Sequence, residues 1–166
     1  MKIQRPRRKT LMQVLMIILA IFAMRFYQQQ DLTQGQIPSF ASKTLSGDII
    51  DTKPREDQAM LVHFWASWCK ICELSNPNIQ ALMPEYKVVN IALQSGSDEE
   101  IKAYASEHQL LINNIVNDNH GTLANRFGVN GTPTSFIVAP DGTIRFTEVG
   151  YTTTLGYRLR LWWASN

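Results

Sequence analysis

Only two cysteines and three histidines occur in the 166 residues, and His63, His108 and His120 stand far apart. A structural zinc site ordinarily gathers four ligands from Cys and His pairs, so Cys69 and Cys72 make half a site at most and no metal is expected. Nor do the two cysteines read as a staple, because a disulfide closing so short a loop constrains the unfolded chain little. Charge of one sign is also missing: 16 basic residues face 14 acidic ones, for a net +2. Lys2, Arg5, Arg7, Arg8, Lys9 and Arg25 hold six of the positive charges, which leaves the rest of the chain at about −4. The basic pI belongs to the tail, and no nucleic-acid partner is expected. There is no internal repeat and no sign of a bound organic cofactor.

The longest apolar run, Leu11 to Met24, is interrupted only by Gln13 and directly follows the basic cluster. Fourteen residues fall short of the roughly 20 of a membrane-spanning helix. Thr10 and the flank Arg25-Phe26-Tyr27 can extend it, with Arg25 snorkelling to the interface. A cleaved signal would want small residues before the cut, but a cut after Ala23 puts Ile21 at the −3 position. The expectation is an uncleaved anchor over residues about 10–27, with a cleaved signal as the alternative. By the positive-inside rule the basic end stays in the cytoplasm and the body is translocated. Residues 1–27 thus read as tail and anchor, 28–36 as a polar linker and 37–166 as one folded domain.

Within that domain the sequence predicts two short strands around the turn in Leu45 to Asp51, and a strand over Ala59 to Trp65. The latter is almost continuously apolar, as in a strand buried on both faces. A helix from Cys69 to Leu82 should be kinked by Pro77 and ended near Pro84. Val88 to Leu93 is the next strand, Ser97 caps a helix reaching His108, and Ile115-Val116 is a short strand. A short helix from Thr122 to Phe127 stops at Gly128; Thr134 to Val138 and Ile144 to Val149 form a hairpin; Thr153 or Thr154 opens a last helix. Helices between strands imply an α/β fold with a mixed sheet covered on both faces. His120 reads as a loop residue, and Trp162 and Trp163 as packing residues or as a membrane or partner surface.

Cys69 and Cys72 are the candidate reactive pair. A thiolate attacks a disulfide, so a working cysteine needs its pKa drawn below the usual value of about 8.5. A helix N-terminus does this at Cys69, and Lys70 adds a positive charge nearby. Cys72 lies almost one turn deeper on the same side, shielded yet within bonding reach.

The run Phe64-Trp65-Ala66-Ser67-Trp68-Cys69-Lys70-Ile71-Cys72, with Pro77 five residues on and Gly131-Thr132-Pro133-Thr134-Ser135-Phe136 later, resembles the thioredoxin superfamily. Within it the likeness is to the membrane-anchored bacterial TlpA-like branch, which includes cytochrome c maturation reductases and copper-tolerance accessory proteins. The resemblance covers roughly Ile37 to Leu161. It implies a thioredoxin fold with redox-active Cys69 and Cys72, a cis bond before Pro133, and a substrate surface made of Trp68, Thr132 and Pro133. It also implies disulfides of exported proteins as substrates, a transmembrane thiol donor of the DsbD type, and a single-pass protein of the bacterial inner membrane with its catalytic domain in the periplasm. A disulfide oxidase or isomerase, or a non-redox binding module, are the alternatives.

Two positions depart from the pattern. His63 stands where thioredoxin has a buried Asp, and reads either as a proton acceptor for Cys72 or as a hydrogen-bonded core histidine. Ser75 stands where many anchored reductases carry Glu, which weakens the link to cytochrome c maturation.

Overall fold

The computed structural model describes residues 10, 12–20 and 31–166, in two units. In the first, residues 12–20 are helical. Among the described residues no helix is long and apolar enough to cross a membrane. The basic tail at 1–9, the remainder of the expected anchor and the linker residues 28–30 lie outside the described residues.

The second unit, Asp31–Asn166, is built on a hairpin and a sheet. Strands β1 (Ala41–Lys43) and β2 (Ile49–Asp51) pair antiparallel. Next come β3 (Met60–Trp65), helix α1 (Lys70–Gln80), β4 (Lys87–Leu93), α2 (Asp98–Glu107), β5 (Ile115–Asp118) and α3 (Thr122–Phe127). The chain ends in β6 (Thr134–Val138), β7 (Ile144–Val149) and α4 (Thr154–Ser165). The five-stranded sheet has the order β5-β4-β3-β6-β7, with β3, β4 and β5 parallel and β6 and β7 antiparallel additions. This is the mixed α/β sheet expected from the order of elements.

Every residue of the central strand β3 is buried, which explains its apolar run. Alternation along β3 sends Met60, Val62 and Phe64 to one face, where they pack with Phe127 and Phe136. Leu61 and Trp65 point to the other face, and His63 shares their parity. There Leu61 meets Ile79, Tyr157 and Leu161, while Trp65 meets Cys72, Ile101 and Ala105. Side chains of α1, α2 and α4 therefore cover the face that carries the cysteines, and α3 covers the opposite one.

The element boundaries differ from expectation where polar side chains act locally. Helix α1 starts at Lys70, not Cys69, because Cys69 is its cap: the sulfur accepts from the Cys72 N–H. Strand β5 runs two residues beyond Val116, and the Asp118 carboxylate at its end accepts from the N–H groups of Leu123 and Ala124 at the start of α3. Helix α2 has the full capping box of Ser97 and Glu100.

The second half of the expected linker belongs to the domain. Leu32 is buried against the Phe127 layer, and the Thr33 N–H donates to the Phe127 carbonyl at 3.0 Å. Gly128 has φ +67°, and a Cβ there would run into the Asp31 carbonyl, so the helix stop also makes room for this segment. An apolar residue at 32 was the available signal, hidden among glutamines. Trp162 and Trp163 are exposed, contrary to the packing reading, because α4 buries Tyr157, Leu161 and Ala164 instead. Trp163 makes an edge contact with Phe146, at 5.8 Å between centroids. His120 sits in the exposed turn before α3.

Candidate functional site

The chain leaves the sheet at Trp65 and turns through Ala66, Ser67 and Trp68 into α1. The Cys69 N–H closes this turn on the Ala66 carbonyl at 3.2 Å. A second loop, after β4, braces it: the Ser67 N–H donates to Ser95 Oγ at 3.0 Å, and the Trp68 indole N–H donates to the Gln94 carbonyl at 3.0 Å. Gln94 takes a left-handed backbone, φ 45°, which a glutamine adopts only when its surroundings require it. The sequence offered little warning of this brace beyond the turn residues Ser95-Gly96.

Cys69 and Cys72 are disulfide-bonded, with their Cα atoms 5.2 Å apart. Cys69 keeps 8% of its surface accessible and Cys72 keeps none, so attack from outside can reach only the first sulfur. The cap bond from the Cys72 N–H, 3.2 Å, and the helix dipole both favour negative charge on Cys69 when it is reduced. Lys70 adds less than its sequence position implied: its side chain is 93% exposed and lies 3.4 Å from Glu73.

The loop before β6 meets the pair from the other side. The Thr132–Pro133 bond is cis, and the Thr132 carbonyl oxygen lies 3.6 Å from the Cys69 sulfur. The Gly150 N–H holds the Pro133 carbonyl at 2.8 Å, and Thr134 Oγ holds that of Gly131 at 2.8 Å. Trp68, 63% exposed, stands on the rim. Cys69, Cys72, Trp68, Thr132 and Pro133 therefore gather at one end of the sheet, from positions more than sixty residues apart.

His63 is fully buried, with Nδ1 2.8 Å from Ser135 Oγ, which in turn lies 2.8 Å from the Tyr157 hydroxyl. Its Nε2 has no hydrogen-bond partner. Burial lowers its pKa to about 3, and burial likewise holds the Tyr157 phenol above its ordinary range. Moving a proton from a thiol of pKa about 8.5 to such an imidazole costs on the order of 7 kcal/mol. That magnitude favours a neutral core histidine over a proton acceptor. Ser75 is occupied by a back-bond to the Ile71 carbonyl at 2.9 Å. Asn76, four residues after Cys72 on α1, is buried, with its side chain by Tyr104 of α2.

Among the described residues no group of three or more His, Cys, Asp or Glu side chains could hold a metal ion.

A model of the AhpC/TSA family matches residues 33–147. A thioredoxin-like protein of Haemophilus influenzae is 28% identical over 144 residues, covering 86% of this chain and 83% of its own. The thiol-disulfide oxidoreductase ResA of Bacillus thuringiensis subsp. konkukian is 30% identical over 124 residues, or 72% of this chain and 71% of ResA. Among solved structures, a thiol:disulfide interchange protein of the thioredoxin family from Chlorobium tepidum superposes with a TM-score of 0.67 at 21% identity. That alignment covers 81% of this chain and 98% of the other, and at this identity it speaks for the fold alone.

Proposed function

Because this chain belongs to the AhpC/TSA family, in the thiol-disulfide oxidoreductase branch of the thioredoxin superfamily, we propose that it reduces disulfides of exported proteins outside the cytoplasm, through Cys69 and Cys72. The observation that carries this reading is a sulfur that is barely accessible, capped by a helix and bonded to a fully buried partner beside the Thr132 carbonyl.

In the reduced protein, the Cys69 thiolate attacks one sulfur of a substrate disulfide. A Cys69–substrate bond forms, and the second substrate sulfur leaves as a thiolate and takes up a proton. Cys72, having lost its proton, then attacks Cys69; the protein disulfide forms and the first substrate sulfur leaves as a thiolate. Two electrons pass to the substrate, and a dithiol donor in the membrane, of the DsbD type, returns them. An extended substrate segment would lie along the backbone of Thr132 with Trp68 at its side. His63 stays neutral throughout and holds the core through Ser135 and Tyr157. Residues about 10–27 tether the domain as a single pass in a bacterial inner membrane, with the domain, 37–166 and the packed segment before it, in the periplasm. The basic cluster followed by the apolar run supports this placement.

Replacing Cys72 with Ala in the producing cell removes the resolving step. Covalent adducts between Cys69 and exported proteins should then accumulate on non-reducing gels. No adduct, with the variant folded and present outside the cytoplasm, would contradict the reading.

A further inference from the structure

The exchange chemistry proposed above leaves one requirement unmet. Cys72 is wholly buried, yet it must become a thiolate to resolve the mixed disulfide. Taking an anion out of water is unfavourable unless hydrogen bonds replace the lost solvent. His63 is a poor acceptor for its proton, and Lys70 points into solvent. The surroundings of Cys72 must therefore hold a donor.

Asn76 fits. It is four residues after Cys72, on the same face of α1, and only 4% exposed. Side chains on a helix lean toward its N-terminus, so the residue at i+4 covers the turn that contains residue i. The Asn76 amide thus leans over Cys72. Its Nδ2 is buried and, while the cysteines are oxidised, makes no well-formed hydrogen bond, its polar neighbour being the Tyr104 hydroxyl. A buried donor without a well-formed bond is unfavourable, and a stronger acceptor in another state of the protein would offset that cost. Disulfide sulfur accepts weakly, whereas thiolate sulfur is a charged acceptor.

We propose that Asn76 Nδ2 is the hydrogen-bond donor that holds the Cys72 thiolate once the disulfide opens. A stronger acceptor than the Tyr104 hydroxyl appears on reduction, so the same contact favours the dithiol state and the resolving attack. The hydroxyl of Tyr104 on α2 lies by the Asn76 amide, and the Tyr104 ring packs with its centroid 5.5 Å from that of Trp65. The titratable groups around this layer are Cys69, Lys70 and Glu73 on α1, His63 on β3, and Tyr104, Glu107 and His108 on α2. His63 stays neutral, Lys70 and Glu73 pair with each other, and burial raises the Tyr104 phenol.

The test is the pH dependence of alkylation of each cysteine in the reduced full-length chain, resolved by mass spectrometry, for wild type, Asn76→Ala and Asn76→Asp. Below the titration midpoint, the Cys72 thiolate fraction should fall about tenfold in Asn76→Ala, the scale of one hydrogen bond to a charged group. It should fall further in Asn76→Asp, which has nearly the same shape but brings a second anion. Cys69 should change much less. A purely structural asparagine would disturb stability and leave the Cys72 midpoint in place. Cys72 midpoints unchanged in both variants overturn the proposal. A wild-type chain that exchanges no disulfides would overturn the enzymatic reading instead, and the alkylation profiles would still report on Asn76.

Discussion

The Cys69 sulfur lies 3.6 Å from the carbonyl oxygen of Thr132, although the two residues are 63 positions apart in the chain. The antiparallel pairing of β3 with β6 brings them together, since β3 ends just before the cysteines and β6 begins just after Thr132. The disulfide thus has a polypeptide backbone beside it, and Cys69 is the more accessible of its two sulfurs.

Cys69→Ala should therefore reduce disulfide reduction to the uncatalysed background, because Cys72 has no access of its own. Reduction of a model disulfide protein, followed as turbidity or by free-thiol release, measures this. Residual activity within tenfold of wild type would show that Cys72 can act as the entry sulfur.

Trp68 is exposed and anchored by one hydrogen bond to Gln94, so Trp68→Ala should cost at most about 1 kcal/mol of stability. Its effect should fall on substrate, as a severalfold rise in KM with a smaller change in kcat. A fall in kcat alone would place Trp68 in the chemical step and not in docking.

His63 makes stability depend on pH. Its folded-state pKa is lowered from about 6.5 to about 3. Above pH 6.5 both folded and unfolded states are neutral at this residue, and its contribution is fully present. As pH falls below 6.5 the unfolded chain takes up a proton that the folded protein refuses, and stability is lost progressively towards pH 3. The shift is equivalent to about 5 kcal/mol at most. Urea unfolding from pH 7 to pH 4 should show this loss in wild type and a shallower one in His63→Asn. Equal slopes would mean that His63 is hydrated or protonated in the fold.

Much of this was legible in the sequence, for reasons that differ by residue. The apolar run at 59–65 gave the central strand because a strand covered on both faces has no position for a polar side chain except one with a partner, as His63 has in Ser135. The capping box at Ser97 and Glu100 gave α2, since both partners lie within one turn. Cys69 and Cys72 were visible for the same reason. The loop Gln94-Ser95 was not, because its grip on Trp68 and Ser67 is made by a backbone carbonyl and a single hydroxyl, neither of which leaves a pattern. Asn76 leaves no such signal, because one polar residue on a helix is usually exposed, and its burial comes from tertiary packing that includes Tyr104. Leu32 reads as part of a spacer because glutamine-rich neighbours dominate the composition around it.

The direction of electron flow is the central claim, and the equilibrium reduction potential of the Cys69–Cys72 pair tests it most directly. The full-length chain is equilibrated in defined glutathione or dithiothreitol buffers and the thiol fraction is read by alkylation. A protein that reduces exported disulfides should show a potential of about −250 mV or below, near the thioredoxin value of about −270 mV. A potential of about −120 to −180 mV, the range of oxidants and isomerases, would contradict the account and make this chain a donor of disulfides.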